Sequence, residues 1–178
     1  MRESVATAPR KAATVSGRNG AAARRPVVPT RDFLGFRLGR QEYAVEVHMV
    51  QEIRGCGSLA GIADAPDYVQ GVIDMRGTMV PVVDLRPWFK LESVAVNMFT
   101  VAIVLNLDGR SLGFMVDSVS DVIRLAPKQI KPAPASAACP DPKYLIGIGT
   151  DDERKLLLLD MEKLVQGEGS ELFEIEAY

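Results

Sequence analysis

The sequence predicts an all-β protein in which two small barrels of about five strands each pack together, with short helical turns between strands. Short apolar runs recur about every 8–12 residues and are separated by Gly and Pro, a pattern typical of β-sandwiches and barrels. The chain has 178 residues, which suits one domain or two small ones. It is 47% hydrophobic but only 6% aromatic, so we expect an aliphatic core.

An internal alignment suggests that the chain contains two copies of one unit. Residues 68–89 align without gaps on residues 144–165, and residues 38–53 align on residues 107–122. The matched pairs include Tyr68 with Tyr144, Gly71 with Gly147 and Asp84 with Asp160. The alternative is that unrelated apolar strands match by chance. If the unit is duplicated, features in both copies serve the fold, and features in one copy are candidates for function.

The two copies differ at the tip of the hairpin that each is expected to contain. In the first copy the strands 71–75 and 78–83 meet at Arg76-Gly77. There Gly accepts a positive φ and Arg projects outward, into solvent or onto a partner. The second copy has Asp152-Glu153 at the same place. Arg76 is therefore a candidate for recognition.

The other elements are predicted from alternation, turn residues and capping residues. A hairpin is predicted over 33–47, with its turn at Gly39-Arg40, and one or two helical turns over 47–53. Further strands are predicted over 98–107, 111–116 and 121–125, with a turn at Asp108-Gly109 and a loop over 126–142. Short helices are predicted at 85–89 and 161–165, capped by Asp84 and Asp160. We expect the apolar strand 98–107 to lie where the two copies pack together, because neither copy is large enough for a core of its own.

Three segments differ in composition. Residues 1–31 carry seven Arg or Lys and one Glu, and the rest of the chain holds the other 14 basic and 22 acidic residues. This basic tail has too few apolar residues to order itself and is predicted to be disordered, although it also resembles a transit peptide. Residues 32–165 form the folded part, with subdomains at about 32–97 and 98–165 whose strands are free to exchange. Residues 166–178 form a tail or a short helix.

The residues offer little for catalysis or for cofactor and metal binding. His48 is the chain's one histidine, and Cys56 and Cys139 have no metal-type spacing, so two free thiols are favoured over a disulfide. No phosphate-binding glycine motif follows a strand, and no apolar run reaches the ~18 residues of a membrane span. The carboxylates of Asp74, Asp84, Asp117 and Asp121 are not brought together by their spacing. We therefore predict no enzyme, no cofactor and no metal site.

Two binding classes remain. A small barrel can bind single-stranded nucleic acid with aromatic side chains and a basic groove. Here the body of the chain is acidic, and its aromatic residues do not alternate with Lys or Arg. A protein-docking module fits better, and the nucleic-acid-binding module is kept as the alternative.

Five motifs together resemble the CheW family of chemotaxis coupling proteins, from about Asp32 to Val165. They are Val50-Gln-Glu-Ile-Arg54, Gly71…Arg76-Gly77…Val80-Pro-Val-Val-Asp-Leu-Arg86, Val101-Ala-Ile-Val-Leu105, Val116-Asp-Ser-Val-Ser-Asp-Val122 and Ile130-Lys-Pro-Ala-Pro134. The resemblance implies two five-stranded β-barrels. It also implies a non-catalytic cytoplasmic adaptor that couples chemoreceptor tips to the histidine kinase CheA in two-component signal transduction, at membrane-associated receptor arrays. Other copies of the adaptor in such arrays are a further candidate partner, and neither nucleic acid nor membrane insertion is expected.

The resemblance also implies site residues. Those that match the receptor-binding site are Val50, Glu52, Gly71, Arg76, Gly77 and Gly113. Those that match the kinase contact are Glu52, Ile53 and Arg54. The family pairs its Arg with a Glu, so Glu52 is expected to orient the Arg76 guanidinium. The family's Asn-Leu-Arg-Gly appears here with Asp74 in place of Asn, a departure that could shift the choice of partner.

We predict that deletion of residues 1–31 leaves the melting temperature and kinase coupling nearly unchanged, because the tail has too few apolar residues to add to a core and lies outside the resemblance. Thermal melts and a kinase-coupling assay on the truncated protein measure both. A fall of many degrees, or loss of coupling, would show that the tail belongs to the working protein. Salt-dependent binding of single-stranded nucleic acid that survives the deletion would favour the alternative function.

Overall fold

The computed structural model describes residues 25–136 and 140–170, and these residues form eleven strands in two sheets. The strands are β1 (Arg31–Leu38), β2 (Gln41–Glu46), β3 (Val50–Gly55), β4 (Val69–Met75), β5 (Thr78–Asp84), β6 (Val101–Leu107), β7 (Arg110–Val116), β8 (Ser118–Leu125), β9 (Ile130–Lys131), β10 (Leu145–Asp151) and β11 (Arg154–Leu159). The helical elements are α1 (Met161–Gly167) and the 3-10 turns Val47–Met49, Cys56–Ser58, Pro127–Gln129 and Pro142–Tyr144. The predicted all-β class is confirmed.

Each sheet takes strands from both halves of the chain. The six-stranded sheet has the order β8-β1-β2-β11-β10-β9, and the five-stranded sheet has the order β3-β6-β7-β5-β4. The hairpin β1–β2 therefore lies among strands of the second half, and the hairpin β6–β7 lies among strands of the first. The predicted division near residue 97 does not coincide with the division between the sheets, because the two copies exchange their first hairpins.

The two sheets are equivalent strand by strand. β8, β1, β2, β11 and β10 occupy the positions that β3, β6, β7, β5 and β4 occupy in the other sheet, and a bridge from Ala60 to Val72 stands where β9 pairs with β10. The junctions are parallel in both sheets: Leu158 lies opposite Ala44, and Val82 lies opposite Gly113. The β4–β5 and β10–β11 ladders also share a bulge, just before Gly71 and just before Gly147. Residues 68–89 and 144–165 thus hold equivalent places.

The main core contains side chains from both sheets. Phe36 and Tyr43 come from the six-stranded sheet, and Ile103 and Phe114 come from the five-stranded sheet. Phe89 joins them, with its ring 5.3 Å from that of Tyr43. Burying a side chain of this size stabilises a protein by about 1.5–3 kcal/mol. β6 contributes to this core as expected, although it begins at Val101 rather than at residue 98.

The helical turns predicted over 47–53 are correct only at their start. A 3-10 turn covers Val47–Met49, and the chain then continues as β3. Tertiary pairing explains the difference, because β3 forms an antiparallel ladder with β6 in which Ile53 lies opposite Ile103. The ladder satisfies the backbone hydrogen-bonding groups that a helix would have satisfied locally.

Only one of the two predicted aspartate-capped helices forms. The carboxylate of Asp160 accepts a hydrogen bond from the Lys163 N–H, and α1 follows. In the first copy, residues 85–90 form irregular turns. The counterpart of Lys163 is Pro87, which has no N–H to donate. Asp84 instead accepts hydrogen bonds from Arg86.

Arg86 is a buried cation, with only 1% of its side chain exposed. Its Nε donates to Asp84 at 3.1 Å, its Nη2 lies 3.5 Å from an Asp117 oxygen, and its Nη1 donates to the carbonyl oxygen of Val94 at 2.8 Å. Removing one partner of such a buried pair costs about 3–5 kcal/mol, because the remaining charge stays buried without its counterion. Arg86 therefore fixes the loop at Val94 to the core.

The remaining predictions concern the ends of the fold, the loop 126–142 and the two cysteines. The first strand of the described residues begins at Arg31, one residue before the expected start of order. The predicted loop 126–142 contains the 3-10 turn Pro127–Gln129, β9 and the first residue of the turn Pro142–Tyr144. Cys56 is a free, buried thiol whose pKa is raised by burial. Cys139 lies outside the described residues, as do most of the basic tail and residues 171–178.

We predict that Gly71→Ala and Gly147→Ala each destabilise the protein by about 1–3 kcal/mol, because a Cβ would overpack the sheet. At Gly71 it would lie 2.5 Å from the Ala60 carbonyl oxygen, and at Gly147 it would lie 2.5 Å from the Lys131 carbonyl oxygen. Gly71→Ala should cost more, since its φ of +149° disfavours a side chain. Urea denaturation measures both. Gly61→Ala, where a Cβ meets nothing within 4 Å, is the control and should unfold like the wild type.

Candidate functional site

A groove on the five-stranded sheet lies beside the hairpin tip at Arg76-Gly77, the feature that distinguishes the first copy. We call it the Arg76 groove, and it is lined by Gln51, Glu52, Met75, Arg76, Thr78, Val80 and Ser111. Arg76 and Gly77 have φ values of 55° and 87°, as the two central residues of a type I′ hairpin turn require. The Asp74 carboxylate accepts the Gly77 N–H at 2.8 Å and so closes the turn. The turn leaves the Arg76 side chain exposed.

Glu52 does not form the expected ion pair with Arg76. Its Oε1 accepts a hydrogen bond from Arg54 Nη1 at 2.8 Å, two residues along the same strand. Across residues 25–136 and 140–170, no carboxylate oxygen lies within 4.0 Å of the Arg76 guanidinium. Arg76 therefore presents a charge that has no internal counterion among the described residues.

The other predicted receptor-site residues lie inside or beside the sheet. Gly71 on β4 and Gly113 on β7 are buried, and a Cβ at Gly113 would lie 3.0 Å from Val82 Cγ2. Val50 is half-buried against the main core. These three residues shape the sheet around the groove, while Glu52, Arg76 and Gly77 lie at its surface. Gly71 also has a counterpart at Gly147, as a residue that serves the fold should.

Sequence reasoning missed part of the groove. Met75 and Thr78 flank Arg76-Gly77, and their adjacency could have identified them. Ser111 could not have been found in this way, because it comes from β7 of the other copy. Its hydroxyl donates to Gln51 Oε1 at 2.7 Å and so connects the two copies within the groove.

An apolar surface lies next to the predicted kinase contact. Ile53 on the outer strand β3 is 43% exposed. The Cys56 N–H donates to the Thr100 carbonyl oxygen, which places Thr100 beside the end of β3. Just before Thr100 in the chain, Met98 is 89% exposed and Phe99 is 66% exposed. Contiguous exposed apolar surface marks protein-binding sites, and these side chains are candidates for one.

In the part of the chain that the structure describes, no group of three His, Cys, Asp or Glu residues is arranged to hold a metal ion. None of the helices there combines the length and the apolar character that a membrane crossing needs.

Comparison with known proteins identifies the family. Residues 32–169 match the CheW-like domain. The chain belongs to the CheW-like family. It is 45% identical over 138 residues to the chemotaxis protein CheW of Klebsiella aerogenes, a match that covers 78% of this chain and 83% of that protein. It is 30% identical over 141 residues to the CheW of Rhizobium meliloti, which covers 79% and 91% respectively.

A solved structure supports the fold. The scaffolding protein TtCheW from Thermoanaerobacter tengcongensis superposes with a TM-score of 0.71 at 24% identity, over 83% of this chain and 94% of that one. The two-sheet CheW-like architecture is therefore shown, and the predicted resemblance is confirmed. Family membership supports an adaptor role in chemotaxis.

We predict that Asp74→Asn leaves stability nearly unchanged, whereas Asp74→Ala lowers the free energy of unfolding by about 0.5–1.5 kcal/mol. An asparagine carbonyl can accept the Gly77 N–H as the carboxylate does, and a methyl group cannot. Chemical denaturation of both variants measures the difference. If Asp74→Asn is as unstable as Asp74→Ala, the negative charge rather than the hydrogen bond stabilises the turn.

Proposed function

We propose that this protein is a non-catalytic adaptor that binds chemoreceptors through the Arg76 groove and couples them to the histidine kinase CheA. The observation that carries the proposal is the position of Arg76 and its lack of an ion-pair partner in the described part of the chain. It is exposed, it lies at the tip of a hairpin beside an open groove, and it has no ion-pair partner among the described residues. The equivalent turn of the second copy has an aspartate, so the fold itself does not need an arginine there.

The chemistry of the groove suits a polar helix or loop from a protein partner. Arg76 offers a fork of N–H donors, which matches a carboxylate or a phosphate. Met75 adds an apolar contact, and Thr78 and Ser111 add hydroxyl groups. A mixed surface of this kind fits a receptor segment better than a nucleic-acid strand, because it offers one cation and no aromatic ring for base stacking.

The kinase contact is assigned to the edge of the same sheet. Glu52, Ile53 and Arg54 lie on β3, and the exposed Met98 and Phe99 come just before Thr100, which lies beside its end. Binding receptor and kinase on adjoining surfaces of one sheet would let the adaptor hold them together. We place the complex in the cytoplasm at receptor arrays, where other copies of the adaptor are further candidate neighbours.

We predict that Arg76→Ala weakens receptor binding by about 2 kcal/mol or more, which is more than tenfold in affinity, as for an arginine at the centre of an interface. The melting temperature should barely change, since Arg76 is exposed and forms no ion pair in the described structure. Binding of a purified receptor cytoplasmic fragment, measured by calorimetry beside a thermal melt, tests both points. Binding of purified CheA is measured in parallel.

Asp152→Ala is the matched control, because Asp152 has nearly the same φ, 52° against 55°, at the equivalent turn. It should leave receptor binding unchanged. Wild-type affinity of Arg76→Ala for both partners would contradict the recognition role. A collapsed melt would instead show that Arg76 serves the fold.

A further inference from the structure

The six-stranded sheet has counterparts of three residues that line the Arg76 groove. The alignment of the two copies matches Thr78, Ser111 and Glu52 with Arg154, Glu42 and Asp121. The strands that carry these residues are equivalent in the two sheets: β5 matches β11, β7 matches β2, and β3 matches β8. The parallel junctions also have the same register, which places the three counterparts around the same part of the sheet.

The side chain of Arg154 binds both of the other counterparts. Its Nη1 lies 3.1 Å from both carboxylate oxygens of Asp121, and its Nη2 donates to Asp121 Oδ1 at 3.1 Å. Its Nε donates to Glu42 Oε2 at 3.3 Å. Since β1 and β2 lie between β8 and β11 in the sheet order, the arginine connects two strands that do not pair with each other.

Among the described residues, no comparable side chain spans the Arg76 groove. Thr78 is too short to span the sheet, Ser111 bonds to Gln51, and Glu52 bonds to Arg54. The same three strand positions thus line an open groove in the five-stranded sheet and carry an ion-pair cluster in the six-stranded sheet. In the six-stranded sheet, burial by itself raises the pKa of Asp121, but the hydrogen bonds from Arg154 and Ser120 and the positive charge of Arg154 together hold the pKa below its ordinary value.

We propose that Arg154 acts as an internal occupant of a second, latent docking groove and thereby limits this adaptor to one receptor-binding groove. The proposal rests on the function proposed for the Arg76 groove. On this proposal, Arg154 sets the number of receptors that one adaptor chain can bind. A guanidinium already sits where a partner would otherwise bind, and the tip residue Asp152 has the opposite charge to Arg76.

The first experiment tests occupancy without a receptor. Arg154→Thr, which copies the first groove, leaves the carboxylates of Glu42 and Asp121 without their cation. Millimolar guanidinium chloride should then produce saturable NMR shifts at the amides of residues 42 and 121, and the wild type should show none. Arg124→Thr is the control, because it removes an exposed ion pair of the same sheet, with Asp32, outside the groove. Equal shifts in the wild type and both variants would contradict the proposal that Arg154 occupies the second groove.

The second experiment counts receptors. Calorimetry with the receptor fragment should give one fragment per wild-type chain, one for Asp152→Arg alone, and two for Asp152→Arg with Arg154→Thr. A stoichiometry that stays at one in the double variant, while the guanidinium shifts are present, would overturn the limit on valency. Unchanged receptor binding by Arg76→Ala would refute the proposed function itself, and the guanidinium experiment would still decide the occupancy.

Discussion

The parallel pairing of β2 with β11 and of β5 with β7 is the constraint on which the rest of the structure depends. Through these two short junctions, each copy of the duplicated unit gives its first hairpin to the other copy's sheet. A unit of about 65 residues buries too little surface to be comfortably stable alone. The exchange merges the two sets of apolar strands into one main core, so neither sheet is complete without the other half of the chain.

A buried charge reinforces the same junctions. Arg86 follows β5 and binds Asp84 at the end of that strand, while Asp117 stands between β7 and β8, where the chain passes from one sheet to the other. The other carboxylate oxygen of Asp117 accepts the N–H of Gly39, in the turn of the exchanged hairpin β1–β2. One guanidinium and its two carboxylates thus connect both sheets. The same arginine holds the Val94 carbonyl, which positions the loop with the exposed Met98 and Phe99.

Duplication separates the residues that build the fold from those that are free to act. Gly71 and Gly147 face the same steric limit against a neighbouring backbone, so both copies retain glycine. Arg76 and Asp152 share a turn conformation but differ in charge, and Thr78 and Arg154 share a strand position but differ in length. Because Thr78 is short, the Arg76 groove stays open, whereas the longer Arg154 reaches Asp121 and Glu42 in the other sheet. Equivalent strand positions thus carry an open groove in one sheet and an ion-pair cluster in the other.

The amino-acid sequence was sufficient for features that depend on neighbours along the chain. Alternating apolar residues predicted most strands, Arg76-Gly77 and Asp108-Gly109 marked tight turns, and Asp160 marked the start of α1, because these are properties of a few consecutive residues. The tertiary structure decided what depends on distant ones. Pairing with β6 made residues 50–55 a strand, hairpin exchange brought Ser111 into the groove, and Glu52 bound Arg54 instead of Arg76. A strand's partner and an exposed carboxylate's counterion are set by which surfaces are buried together, and local patterns do not contain that information.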